Sequence, residues 1–295
     1  MMFLTIVVFS IAMPVADPAY AEEIETWRTE REKSLREDNG WLTLAGRLPL
    51  KPGANTFGTG TDNDVVFPPE LAGVGPARLG TIVVNAEAKT ATLKLADGVT
   101  FTAGAKTFTG ERLLGTNEAE RDWVGLGRFR FHILDRQGTF VLRLADNESA
   151  VRKNFPGRVW YPVDETYKVE GKFVPYPEGK TLRVIDVLGQ VTKPTCPGSV
   201  EFTRAGVAHK LDALADGNDL FLIMRDATAG DTTYGSARFL VVPKFPKDGG
   251  PVTLDFNKAY NPPCAFSNFT TCPVAPPQNV LKLRIEAGEK VRAKE

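Results

Sequence analysis

The chain has 295 residues, with 36 Lys+Arg against 36 Asp+Glu, two His, three Cys and 42% hydrophobic residues. That is enough apolar material for one large core or two modest ones, and too much for a disordered tail. Zero formal net charge, with no Lys/Arg-rich run to offset it locally, leaves no general attraction to nucleic acid or to an anionic membrane.

Residues Met1 to Ala21 carry an apolar stretch from Phe3 to Val15, then the small-residue pattern Ala19-Tyr20-Ala21 and the acidic pair Glu22-Glu23. The pattern predicts a secretory signal peptide over residues 1–21, cleaved after Ala21, although Met1-Met2-Phe3 lacks the usual basic residue. The competing reading is a buried N-terminal segment or an uncleaved anchor. The apolar run is short of the roughly 18 residues that span a bilayer, so no membrane association is expected after cleavage. The expected location is the periplasm or the cell exterior.

A helix is predicted over Glu22 to Asn39, where Ile24, Trp27, Arg31 and Leu35 share a face and Gly40 stands as the stop. After it the periodicity switches to short strands at Trp41–Ala45, Asp64–Phe67, Thr81–Val84, Thr90–Leu95 and Val99–Thr102. The 27 Gly and 21 Pro supply turns between them, the pattern of a small β-sandwich over residues 22–115. The polar run Gly115 to Asp122 is the predicted boundary, and a larger antiparallel sandwich or barrel is expected over 123–295. There, Arg128–Leu134 and Thr139–Leu144 flank Asp135-Arg-Gln-Gly138 as a hairpin, and later strands run through Asp219–Arg225, Ala237–Val242, Val252–Phe256 and Val280–Ile285. No helix of crossover length separates these strands, so the fold class is mainly β rather than Rossmann or TIM-like.

Motifs for nucleotide binding and for a serine nucleophile are absent: Gly58-Thr-Gly60 and Gly125-Leu-Gly127 lack the third Gly, and Tyr234-Gly-Ser-Ala237 breaks the nucleophile elbow. His132 and His209 each sit in an alternating strand and read as sheet-face residues rather than general bases. No metal and no cofactor is expected. Cys264 and Cys272 lie eight apart in a segment with five prolines, so a disulfide stapling that loop is expected, with Cys196 as the spare thiol.

Polar density concentrates in Arg225-Asp-Ala-Thr-Ala-Gly-Asp-Thr-Thr-Tyr-Gly-Ser-Ala-Arg238 and in Asp255-Phe-Asn-Lys-Ala-Tyr-Asn261. A hairpin loop needs far fewer charges. One reading is a ligand site for a small polar or anionic molecule, with Arg225, Tyr234, Arg238, Asn257, Tyr260 and Asn261 as binding residues and Arg238 facing Asp255 or Tyr260. The other is a self-satisfied network in which Asp226 caps the turn.

Asp255-Phe-Asn-Lys-Ala-Tyr-Asn-Pro-Pro-Cys-Ala-Phe266 with Cys272-Pro, Thr233-Tyr-Gly-Ser-Ala-Arg-Phe-Leu240, Gly40-Trp-Leu-Thr-Leu44 and Ala287-Gly-Glu289 resemble the bacterial domain of unknown function 1684 family. The resemblance implies no reaction. It marks Arg238, Asp255, Asn257, Tyr260, Asn261, Cys264 and Cys272 as matching positions, while Ser236 departs from the family's second Gly. The stretch Leu42 to Gly110 is similar to a forkhead-associated domain in strand order and in its Gly58 turn. Thr59 stands where that family carries Arg, and Gly75-Pro-Ala-Arg78 offers no Ser or His, so a scaffold is implied and phosphopeptide recognition is not. Two function classes follow: an exported binding or scaffold module, and a hydrolase using Asp226, Asp231 or Asp255 as acid and base with Arg238 as stabiliser.

Overall fold

The structure, a computed structural model, describes residues 17–117 and 121–292. The signal peptide expected at 1–21 therefore lies outside the described residues except for its last five. The fold is mainly β, with an N-terminal helix and several antiparallel sheets. The helix spans Pro18–Leu35, starting and ending four residues earlier than the predicted one. Asp17 causes the early start, since its carboxylate accepts the amides of Ala19 (2.8 Å) and Tyr20 (3.4 Å) just before a proline at the first helical position. Ile24 and Leu35 of the predicted apolar face are buried.

The chain divides into two units. The first comprises Arg31–Gly157 and Pro263–Cys272. Its six-stranded sheet runs in the order Leu44–Leu50, Thr139–Asp146, Phe129–Arg136, Val124–Leu126, Phe101–Ala103, Lys106–Phe108. Its five-stranded sheet runs Val65–Val66, Gly53–Gly58, Gly80–Asn85, Thr90–Leu95, Glu111–Leu114. Alternation builds the core. Ile82 and Val84 turn inward from one sheet, and Phe129, Phe131 and Ile133 from the other. Phe57, Phe67, Phe101, Phe129 and Phe131 interlock with ring centroids 5.6 to 6.3 Å apart. The predicted hairpin forms, with Arg136 opposite Thr139 and positive φ at Gln137 (55°) and Gly138 (85°), the signature of a two-residue primed turn.

The observed division differs from the boundary predicted at 115–122. Strands Val124–Leu126 and Thr139–Asp146 pair with Phe101–Ala103 and Leu44–Leu50, so they complete the first sandwich. The polar run that was expected to separate domains instead carries the chain from one sheet of that sandwich to the other, and hydrophilic composition alone does not tell a crossing from a linker.

The second unit comprises the chain through Glu30, Arg158–Pro262 and the segment from Pro273. Its six-stranded antiparallel sheet runs Arg238–Val242, Asp219–Met224, Val207–Asp216, Gly198–Arg204, Lys168–Pro175, Gly250–Asp255. Phe173, Leu211, Leu222, Leu240, Leu254 and Phe256 form its core. Val280–Ile285 is not the predicted strand. It touches Arg225 by an isolated parallel bridge at Val280 and otherwise runs irregularly. Among the described residues no helix is long and apolar enough to cross a membrane.

Candidate functional site

Of the polar residues predicted at the end of the sheet in the second unit, Asp226 and Arg238 face inward and meet. Arg238 opens its strand directly across from Met224, two residues before Asp226. Their side chains, each 1% exposed, form an ion pair through Arg238 Nη2 and Asp226 Oδ2. The remaining Nη contacts go to the carbonyls of Ala287 (2.6 Å) and Ile285 (2.9 Å). Asp226 Oδ1 accepts the Thr228 amide (2.8 Å), the Thr228 hydroxyl (2.6 Å) and the Ile285 amide (3.2 Å). The Thr228 and Thr233 hydroxyls meet at 2.8 Å. Arg238 therefore faces Asp226, not Asp255 or Tyr260, because the strand register brings it beside its own hairpin partner.

The other predicted residues scatter among separate tasks. Arg225 is exposed at its side chain, while its backbone ties to Asn279 and Leu281. Asp231 is exposed and pairs with Arg284 at 2.9 Å; Tyr234 is half-buried. Asp255 accepts the Tyr20 hydroxyl at 2.8 Å and the Asn257 amide at 3.1 Å. Fully buried Asn257 exchanges hydrogen bonds with the Asp164 backbone and donates to Tyr20 Oη at 2.9 Å. Burial, and next the Asp255 carboxylate, push the Tyr20 phenol far above its usual range, so it stays a donor. Tyr260 bridges Phe239 through paired backbone bonds of 2.8 and 2.9 Å. The Asn261 amide donates to Glu289 Oε2 (2.9 Å), which also takes Arg158 Nη1 at 2.6 Å in a second buried ion pair. Asp226, Asp231 and Asp255 thus serve three different partners and do not form a carboxylate pair.

A cleft with open chemistry lies in the first unit. It has a volume of about 240 Å³ and is lined by Trp41, Leu42 and Val151 on one side and by Cys264, Phe266 and Asn268 on the other. A 3-10 turn at Pro263–Ala265 shapes the second wall, with the amides of Phe266 and Ser267 bonded to the Pro263 carbonyl. Phe266 is held edge-on by Phe155 at 6.0 Å. The Trp41 ring lies 5.5 Å from the Arg121 guanidinium and 5.4 Å from that of Arg143, contacts that brace the indole.

None of the three cysteines is in a disulfide, so the bridge expected between Cys264 and Cys272 is not formed in this structure. The two are nevertheless neighbours: the Cys264 amide donates to Cys272 Sγ at 3.1 Å, and the Thr270 hydroxyl is 3.0 Å from Cys264 Sγ. A hydrogen bond to the Cys264 side chain, then burial, raise the Cys272 thiol well above its usual range.

Comparison with known proteins bears on this geometry. A family model described as "Protein of unknown function (DUF1684)" matches residues 153–290. Over these residues the chain is similar to the DUF1684 family. The similarity of Leu42–Gly110 to a forkhead-associated domain is not confirmed by that match. A solution NMR structure of an uncharacterized protein from Haloarcula marismortui is 29% identical, covers 47% of this chain and 78% of its own, and gives a TM-score of 0.40. No curated protein matches the chain. The DUF1684 region holds the buried Arg238–Asp226 and Arg158–Glu289 pairs and the Cys264–Cys272 turn, while Trp41, Arg121 and Arg143 lie before it. Sequence reasoning singled out Gly40-Trp-Leu-Thr-Leu44 without giving Trp41 a role, because the turn that completes its cleft is more than 200 residues further along the chain.

Proposed function

We propose that the chain is an exported binding module whose ligand occupies the cleft between Trp41 and the Cys264–Phe269 turn, with the Asp226–Arg238 network as scaffold. The braced indole of Trp41 carries this reading: an aromatic wall backed by two guanidiniums suits a small molecule with an apolar body and an anionic end. The hydrolase alternative lacks a supporting observation, since its carboxylates are committed to Arg238, Arg284 and Tyr20. The test is a melting-temperature screen of the purified protein against small carboxylates, from acetate to benzoate and indole-3-acetate. At least one should raise the melting temperature, and Trp41→Ala should abolish that rise. A panel with no shift at millimolar concentration, or a shift unchanged in Trp41→Ala, would overturn the assignment.

Export rests on the leader pattern and carries a structural consequence. Cleavage after Ala21 takes away Tyr20 and with it the phenol that Asp255 and Asn257 share. Intact-mass measurement of protein recovered outside the cytoplasm should give a chain beginning at Glu22. Recovery of a chain beginning at Met1 would show that Tyr20 stays in place and that the leader reading fails.

A further inference from the structure

We infer that Cys264 and Cys272 form a redox-active dithiol that exchanges with low-molecular-weight disulfides entering the cleft, with Cys264 as the attacking and Cys272 as the resolving sulfur. The inference rests on the cleft reading only for access to Cys264. Its basis is the asymmetry of the pair. Cys264 is half-buried and lines the cleft, whereas Cys272 is 3% exposed behind it. The two sulfurs share one small network: the Cys264 amide donates to Cys272 Sγ (3.1 Å), and Cys264 Sγ lies against both the hydroxyl (3.0 Å) and the carbonyl (3.5 Å) of Thr270. The guanidiniums of Arg121 and Arg143 back the opposite wall. The proton of the pair stays on Cys272, which is hydrogen-bonded to Cys264 and buried. A sulfur that is open to a ligand, beside one that is hidden behind it and holds its proton, is the division of labour that exchange requires. Cys196 offers the contrast. It is 1% exposed, its thiol is raised by burial, and it donates to the Gly198 carbonyl at 3.6 Å with no second cysteine beside it among the described residues.

The chemistry balances without a further reagent. The Cys264 thiolate attacks one sulfur of RS–SR, the substrate S–S bond breaks, and RS⁻ leaves and takes up the proton that Cys264 had released. Cys272 then attacks the Cys264 sulfur of the mixed disulfide and gives up its own proton, and the second RSH departs. Two electrons pass from the dithiol to the substrate disulfide, leaving a Cys264–Cys272 bridge and two thiols. The Cys264 amide already lies 3.1 Å from Cys272 Sγ, which places the two residues side by side for the second step.

The test equilibrates the full-length folded protein in reduced and oxidised glutathione at stepped ratios, followed by acid quench, alkylation and mass spectrometry. The wild-type chain should pass reversibly between a dithiol and a Cys264–Cys272 disulfide within the glutathione range. Cys272→Ser should accumulate a glutathione adduct on Cys264, at least tenfold more than Cys264→Ser accumulates on Cys272, and Cys196 should stay unmodified. A bridge that resists dithiothreitol in the folded state would make the pair a static staple and overturn the proposal. So would thiols that remain reduced in oxidised glutathione, or equal adducts on both single variants. Carboxylate binding is read separately by melting shifts, so failure of the cleft reading and failure of the dithiol give different results.

Discussion

Arg238→Ala should destabilise the protein by about 3–5 kcal/mol, the usual cost of removing one partner of a buried ion pair. The size follows from what remains behind. Asp226 is left without its partner in a place where water cannot reach it, since its side chain is 1% exposed. The Ala287 and Ile285 carbonyls, bonded to the guanidinium at 2.6 and 2.9 Å, also lose their donors, and each unsatisfied buried acceptor adds to the penalty. A domain of ordinary stability has roughly 5–15 kcal/mol to lose, so this single change takes a large fraction of it. Arg284→Ala is the control. Arg284 pairs with Asp231 and Glu286 at 2.9 Å each, but on a face open to water, so its loss should leave the denaturation midpoint nearly unchanged. Urea unfolding followed by circular dichroism gives both values. The double variant Asp226→Leu/Arg238→Met should recover most of the lost stability, because removing both charges also removes the stranded one. Equal midpoints for Arg238→Ala and Arg284→Ala would mean that the buried pair does not hold the sheet end.

This pair also shows how far the sequence could be read. The run Arg225 to Arg238 is unusually polar, and that much is legible. Whether its charges face a ligand or each other depends on register. Met224 opposite Arg238 is one residue-pair assignment among several that the same hairpin could adopt, and one slip would turn the guanidinium to the other face. Local signals fared better. The Gln137-Gly138 turn and the alternation of Phe129 to Ile133 and of Ile82 and Val84 identify strands without any long-range information. The helix face was legible through Ile24 and Leu35, but its start was not, because Asp17 and Tyr20 fall in the stretch assigned to the leader.

What the sequence hid is contact between distant segments. Leu44–Leu50 lies beside Thr139–Asp146 across about 90 intervening residues, and nothing in either strand names the other. The proline-rich turn Pro263–Cys272 belongs to the first unit although it is flanked on both sides by chain of the second. Its five-proline neighbourhood declared it a loop, whereas the disulfide expected from its two cysteines is not formed. The Trp41 wall that turns this loop into a cleft could be found only once the chain was folded. The expected catalytic carboxylates are held apart for a related reason. Asp255 is a good general base in one dimension, but in three its oxygen accepts the Tyr20 hydroxyl and caps the Phe256–Lys258 turn.

Acidification should destabilise the wild-type protein more than His132→Leu, by about 3 kcal/mol at pH 4, at about 1.4 kcal/mol for each unit between the unfolded and ambient values. His132 is fully buried on the face of its strand that turns away from Phe131 and Ile133. It lies opposite Arg143 in the sheet, its ring is 4.3 Å from that of Trp123, and among the described residues neither ring nitrogen has a hydrogen-bond partner. Burial first, then the charges of Arg143, Arg121 and Arg136, push its pKa down to about 3 from the ordinary 6.5. The folded-state value is depressed, so the imidazole contributes no pH dependence above the unfolded value of about 6.5, where it is neutral in both states. Below that the unfolded chain takes up a proton that the fold refuses, and stability falls steadily until about pH 3, where the folded state is protonated too. Leucine has nearly the same volume and nothing to protonate, so the variant should match or slightly exceed the wild type at pH 7.5, where replacement removes an unsatisfied polar ring. The carboxylates titrate alike in both proteins and cancel in the difference, which urea midpoints measured at half-unit intervals from pH 7.5 to 4 will isolate. Parallel curves across that range would show that His132 accepts a proton in the folded state, and that the arginines around it are compensated more fully than its depressed pKa implies.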